Sequence, residues 1–334
     1  MADKNFSDMG REAAIEALFE GTQYKNAPAS RFETAAKAYV TTASRLLLEG
    51  IDFDLVYFPL KHLGYKAVVE VTGDLFAALS HPRSLELRLG VSAKLDFSQV
   101  KEFWEGVIAA AKEFGYSALS LDLQPSKNGF SVGISASGET SVSLKRPAPE
   151  SKDLICVSGS LGAAYIGFLV LDRAKKQFEK DGVQPDLDKY RMMVGSYLKP
   201  ELNPDILIHL DESGIVPSAG YFVTRGLADT VKRLSRDTGL GAKIYAEKIP
   251  FEGNSFEYGK ELDIDPVSAA MNGGDDCRLL FTVPISKFET FRHDFQVFDI
   301  IGHLALPEAG AVLVTPEGVE LPLKAQGWPE ETED

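Results

Sequence analysis

Two cysteines in 334 residues, Cys156 and Cys277, stand far apart and in no CxxC spacing. That excludes a disulfide framework and a cysteine zinc site, and points to a reducing compartment. The five histidines are scattered without metal spacing, so each reads as a surface or packing residue. Basic residues are outnumbered: 35 Lys and Arg face 49 Asp and Glu, for a net charge of −14. Against that field neither nucleic acid nor an anionic membrane surface is an expected partner. An anionic substrate needs local cations or metal ions here. No apolar run is long enough to span a bilayer, and the first residues lack a basic-then-apolar signal pattern. The expectation is a cytoplasmic protein.

What is present is a globular composition, 44% hydrophobic, on a chain long enough for two domains. Lys145 to Lys152 is charged, contains two prolines and reads as a linker between domains at 1–145 and 150–330. In the first half, Arg11 to Phe19 has amphipathic-helix spacing and Thr22 to Thr34 reads as loop. Lys37 to Phe58 reads as strand material interrupted by turns. Lys66 to Leu79 reads as a strand leading into a helix, with Asp74 at the helix N-cap. Strands are expected at Leu85–Val91, Ala118–Leu123 and Val132–Ala136, and a helix at Ser98–Phe114 closed by Gly115. In the second half, Asp153 to Lys180 reads as strand, Gly-rich turn and helix, a helix start whose backbone N–H groups can hold phosphate. Strand, turn and helix follow from Ile215 to Leu234, a strand from Ala242 to Ile249, and a closing hairpin from Ile300–Leu306 and Ala311–Val314.

One stretch organises the rest. Pro266 to Met271 has helical character and runs into Asn272-Gly273-Gly274, which permit positive φ and close backbone approach. Asp275 and Asp276 follow, then an apolar strand from Leu279 to Val283. Two acids beside a tight turn at the mouth of a strand suit a ligand site, and equally a plain turn with solvated acids.

The text NGGDDCRLLFTV resembles the NGGEDYELLFTV segment of bacterial thiamine-monophosphate kinases, relatives of aminoimidazole ribonucleotide synthetase. VTTASRLLLEGIDFDLVYFPLKHLGYKA is similar to their VTTDxLxEGVHFxxxxxPxxxLGYKA, with Ala43 at the acid after Thr-Thr and Asp52 at the histidine. KAVVEVTGDLFAAL resembles KAxxVNxSDxxAM: Asp74 is kept, while Val71 and Gly73 replace the asparagine and serine. Asp122 matches the acid of a Gly-Gly-Asp strand end. VSGSLGAAYIG is similar to VSGxLGxAAxGL. Phe222 and Arg225 stand at the two aspartates of an Asp-Ile-Ser-Asp turn, and Gly327-Trp328 matches a terminal Gly-Trp. The Gly-Asp-Asp loop of the family has no acid pair here, falling at Asn26–Glu33.

The resemblance implies an α/β (α+β) protein with a two-domain synthetase-like fold. The amino-terminal domain would pair into an intersubunit β-barrel, giving a homodimer, and the carboxyl-terminal domain would be an α/β sandwich. It implies ATP and Mg²⁺ as cofactors and transfer of a phosphoryl group from ATP to thiamine monophosphate. Asp74 and Asp122 are the metal acids that remain. Gly273, Gly274, Asp275, Asp276 and Trp328 are the expected substrate contacts. Positioning and charge neutralisation do most of the work in such a transfer, so losing most metal acids predicts weak or no kinase activity. The alternatives are a non-catalytic ligand-binding or regulatory relative, or changed chemistry in the same cleft. Arg225 is expected to pair with Asp122, Asp74 or both, supplying in protein form the charge a metal would bring.

Overall fold

The computed structural model describes residues 17–24, 34, 37–326 and 328. The expected helix at Arg11–Phe19, the loop at Thr22–Thr34 and the acid-free region at Asn26–Glu33 fall wholly or largely outside them. The chain divides into two compact units, one ending at Leu144 and one beginning at Lys145.

The first unit contains a sheet of β1 (Ala38–Leu48), β2 (His81–Ser92), β3 (Ala118–Ser126) and β4 (Ser131–Ser141), ordered β1-β4-β2-β3. Helices α1 (Leu60–Ala77) and α2 (Phe97–Glu113) pack on each other, and α1 packs on β1, β4 and β2. The expected break in the first strand does not occur. β1 is continuous, and the chain turns only afterwards, where Asp52 Oδ2 accepts the Leu48 N–H at 2.7 Å.

The strand expected at Lys66–Val71 is instead the interior of α1, and Asp74 lies in the last turn of that helix rather than at its N-cap. The cause is burial on both sides. Val68, Val69 and Val71 are fully enclosed, and a run that is apolar all round carries no period to separate helix from strand. The helices meet backbone to backbone. A Cβ on Gly106 would lie 1.9 Å from the Lys61 carbonyl oxygen, and one on Gly64 would lie 2.0 Å from that of Phe103. Asp96 starts α2 with a capping box: its carboxylate accepts the Gln99 N–H, and the Gln99 side chain accepts the Asp96 N–H.

The second unit contains β5 (Leu154–Ser158), β6 (Ala219–Val223), β7 (Gly241–Tyr245), β8 (Arg278–Val283), β9 (Phe298–Ala305), β10 (Ala311–Val314) and β11 (Glu320–Pro322). They form one sheet ordered β11-β10-β7-β9-β5-β8-β6. The main helices are α3 (Ala163–Asp181), α4 (Arg191–Leu198), α5 (Ile206–Ser213), α6 (Leu227–Thr238), α7 (Ser255–Leu262), α8 (Pro266–Asn272) and α9 (Phe288–Asp294). The expected closing hairpin is not one. β7 lies between β9 and β10, antiparallel to the first and parallel to the second. The turn at Pro307–Ala309 carries the chain past the start of β7, where the Ala242 N–H donates to the Gly310 carbonyl at 2.8 Å. Strand alternation fixes which side chains face inward but not which strand lies alongside. The strand expected to run to Ile249 stops at Tyr245 and turns through Ala246–Lys248.

Three turns meet at one end of this sheet. Both carboxylate oxygens of Asp276 accept the Gly162 N–H at 2.9 Å, which ties the mouth of β8 to the start of α3. The Asp275 N–H donates to the Thr224 carbonyl at 2.8 Å, which ties the same turn to the β6–α6 connection. Gly162 has φ +79°, and a Cβ there would meet the Ala270 nitrogen at 2.8 Å. A Cβ on Gly226 would meet the Met271 carbonyl oxygen at 2.4 Å.

Two outcomes follow. Gly106→Ala forces α1 and α2 apart and should cost about 1–3 kcal/mol or more, the range for overpacking, read as a lower denaturation midpoint at unchanged slope. Asp276 is buried, and desolvation pushes its pKa up from the ordinary carboxylate value of 3.8 to about 7. The Gly162 N–H, Arg278 and the Ala164 N–H all oppose that rise. The folded state therefore keeps a proton that the unfolded chain loses. The associated stability is full below about pH 4 and is lost as the pH rises through about 7. Melting of the native chain and of Asp276→Asn across that window should show the difference moving in favour of Asn as the pH rises. A pH-independent difference would exclude Asp276 as the titrating group.

Candidate functional site

The carboxyl-terminal unit carries a cleft of about 490 Å³ beside the turn that follows β5. Ser158, Gly159 and Ser160 form one wall, Arg278 and Leu279 another, and Phe251 and Phe298 supply apolar surface. Arg278 is the central cation. Its Nε donates to the Ser160 carbonyl and its Nη1 to the Glu201 carbonyl, both at 3.2 Å. Gly159 makes room for it, since a Cβ there would lie 3.3 Å from the guanidinium carbon. Glu201, Glu252 and Asp299 also line the cleft, and Glu252 accepts the Ser160 hydroxyl at 3.3 Å. A planar cation flanked by acids and aromatics suits a ligand with both charged and ring parts.

The expected substrate contacts divide. Gly273, Gly274 and Asp275 lie on the turn packed against Thr224 and Arg225, and Asp275 is half-buried with φ +63°. Asp276 is buried and serves the start of α3, so the N–H of Gly162, read as a phosphate donor, is taken by the protein's own carboxylate. Trp328 lies on α6, where its Nε1–H donates to Asp229 Oδ1 at 2.7 Å and Lys232 and Arg236 approach its ring. Phe222 is a core residue of β6, paired in register with Leu279. Arg225 is exposed in the turn before α6.

The amino-terminal unit places the remaining acids. On β1 the side chains of Ala43, Arg45 and Leu47 share one face, in register with Ala136, Ile134 and Val132 of β4. Those β4 residues in turn stand opposite Leu85, Leu87 and Leu89 of β2, on the face that the helices cover. Arg45 reaches α1 from there: its Nη2 is 2.6 Å from Asp74 Oδ2, and its Nε is 3.8 Å from Glu70 Oε2. Within this unit the cation against Asp74 is Arg45. Asp122 has the opposite parity. Its neighbours Leu121 and Leu123 pair with Leu87 and Leu89 on the helix face, so Asp122 projects from the other face beside Arg88. The fold therefore does not bring Asp74 and Asp122 together.

Magnesium takes several converging oxygen ligands. Among the described residues no group of three or more His, Cys, Asp or Glu side chains is arranged to hold a metal. A guanidinium already lies against Asp74. Val71 is fully buried inside α1, and Asp52 is spent on its own turn, so neither adds a ligand. The described residues do not fit the ion.

Sequence reasoning missed Arg45, Glu70 and Arg278. A signal existed for the first. Four residues separate Thr-Thr from Glu-Gly in the family pattern, but Ala43 to Leu48 is two residues longer. Counted back from Glu49-Gly50, the acid position falls on Arg45 rather than Ala43.

No family model matches the chain. It is 25% identical over 248 residues to a thiamine-monophosphate kinase of Aquifex aeolicus, covering 74% of this chain and 76% of that protein. The structure of AaThiL complexed with AMPPCP and TMP aligns over 96% of this chain and 97% of that one, with TM-score 0.72 and 21% identity. HypE of E. coli, a hydrogenase maturation protein, aligns over 95% and 97%, with TM-score 0.71 and 16% identity. The chain is thus similar in sequence to thiamine-monophosphate kinases and has the mixed α/β fold of that kinase structure and of HypE.

Proposed function

We propose that the chain is a cytoplasmic, ligand-binding relative of the thiamine-monophosphate kinases, in which ATP-dependent transfer to thiamine monophosphate is weak or absent. The relative's complex with AMPPCP and TMP supports a nucleotide and a thiamine phosphate-like molecule as the ligand classes. The observation that carries weak transfer is Arg45 against Asp74. A guanidinium keeps its charge at any working pH and repels a divalent ion at the position where one would be needed. In this reading the cleft around Arg278 takes an anionic or polar end of the ligand. The Gly273-Gly274-Asp275 turn and Trp328 are the proposed further contacts, and Asp276 sets the position of the turn.

We also propose a homodimer through the amino-terminal unit. β1 is an edge strand, and Tyr39, Val40 and Leu46 are exposed along it, an apolar edge of the kind that pairs with another chain. Lys66–Val71 plays no part, because it lies inside α1.

Three measurements test these readings. In a coupled ATP-consumption assay with thiamine monophosphate, turnover should fall far below the range of about 1–100 s⁻¹ usual for kinases. AMPPCP or thiamine monophosphate should still raise the melting temperature, and Arg278→Ala should weaken that response. Turnover inside the usual range rejects weak transfer, and melting unmoved by either compound rejects ligand binding. Light scattering at micromolar concentration should give twice the chain mass, and Leu46→Glu should return it to one. A monomeric native chain rejects the dimer.

A further inference from the structure

We infer that the Arg45 guanidinium is a built-in cation of the amino-terminal unit, which holds Glu70 and Asp74 together on α1 and keeps a divalent metal from binding between them.

The sequence puts the parts in place. Lys66, Glu70 and Asp74 recur every four residues on α1 and so share one side of the helix. Lys66 and Glu70 are buried, at 3% and 5% exposure. Carboxylates one turn apart repel each other, and a buried carboxylate needs a compensating charge. Arg45 supplies it from the facing strand, 2.6 Å from Asp74 and 3.8 Å from Glu70. Ala43, one pleat away on the same face, is small and leaves the guanidinium that space. Arg45 thus sets a fixed positive charge against both carboxylates, while Lys66, one turn before Glu70, lies over the Phe58 ring. A divalent ion added there would stand beside a guanidinium that keeps its charge, in a partly buried place. It would also have to displace a charge-assisted hydrogen bond that a planar donor fork makes well. The inference rests on the proposed reading of Arg45 against Asp74 and deepens it; its test follows metal alone, so its failure is distinguishable from failure of nucleotide or thiamine phosphate binding.

The test uses the full chain, with Mn²⁺ followed by paramagnetic resonance and melting followed with and without Mg²⁺ or Mn²⁺. The native chain should leave Mn²⁺ free at about millimolar concentration and melt at the same temperature with or without it, since a ligand that binds only the folded state raises melting. Arg45→Ala should melt lower, gain Mn²⁺ affinity by at least about tenfold, and recover melting temperature when the metal is added. Asp74→Asn in the Arg45→Ala background should remove that gain. Arg45→Gln keeps much of the stem and stands in if the alanine variant does not fold, whereas Arg45→Lys should behave as the native chain. Mn²⁺ binding by the native chain that Asp74→Asn abolishes overturns the inference. So does an Arg45→Ala or Arg45→Gln variant whose melting and Mn²⁺ affinity match the native chain.

Discussion

The carboxyl-terminal unit depends on one buried carboxylate. Asp276 lies two residues before β8 and accepts a backbone N–H at the start of α3, so strand mouth and helix start cannot separate without exposing both. A helix start carries unpaired N–H groups, and the carboxyl oxygens accept one of them, although desolvation outweighs that contact and favours the protonated form. The same turn is held from the other side by the Asp275 N–H on Thr224. What looks in sequence like two acids offered to solvent is therefore one acid holding the fold and one left half-exposed. The cleft is lined by Arg278, two residues beyond Asp276.

The same anchor explains which parts of the fold were legible. Elements with a clear period were readable to within a few residues. α2 was visible in the spacing of Val100, Phe103, Trp104 and Val107, and the strand, turn and helix from Leu154 to Asp181 followed from the glycines between two apolar runs. Elements buried on all sides were not. Val68 to Val71 fits a strand as well as a helix until Gly64 and Gly106 bring α2 against α1, a contact of residues far apart in the chain. The neighbour of β10 was equally hidden. A short connection favours a hairpin on local grounds, and only the insertion of β7 overrides it.

The candidate site was legible in its chemistry and less so in its residues. A cation in place of a metal was expected from the loss of acids, and within the amino-terminal unit Arg45, which the pattern did not single out, lies against Asp74. The error came from counting forward from Thr41-Thr42 across a stretch two residues longer than the pattern. In a strand an insertion of two is nearly silent, because side chains alternate with period two and the residue two places on faces the same way. Ala43 and Arg45 therefore both face α1, and either can stand at the acid position. One insertion thus places a long cation opposite Asp74 with the pleat unchanged. Parity also decides against Asp122. It stands in register with Arg88 on the face away from the helices, and no rotamer of either acid carries a carboxylate through the sheet to the other. Within the unit the two retained acids lie on opposite sides of one sheet. The charge at Asp74 is consequently settled by what β1 places opposite it, and β1 places an arginine.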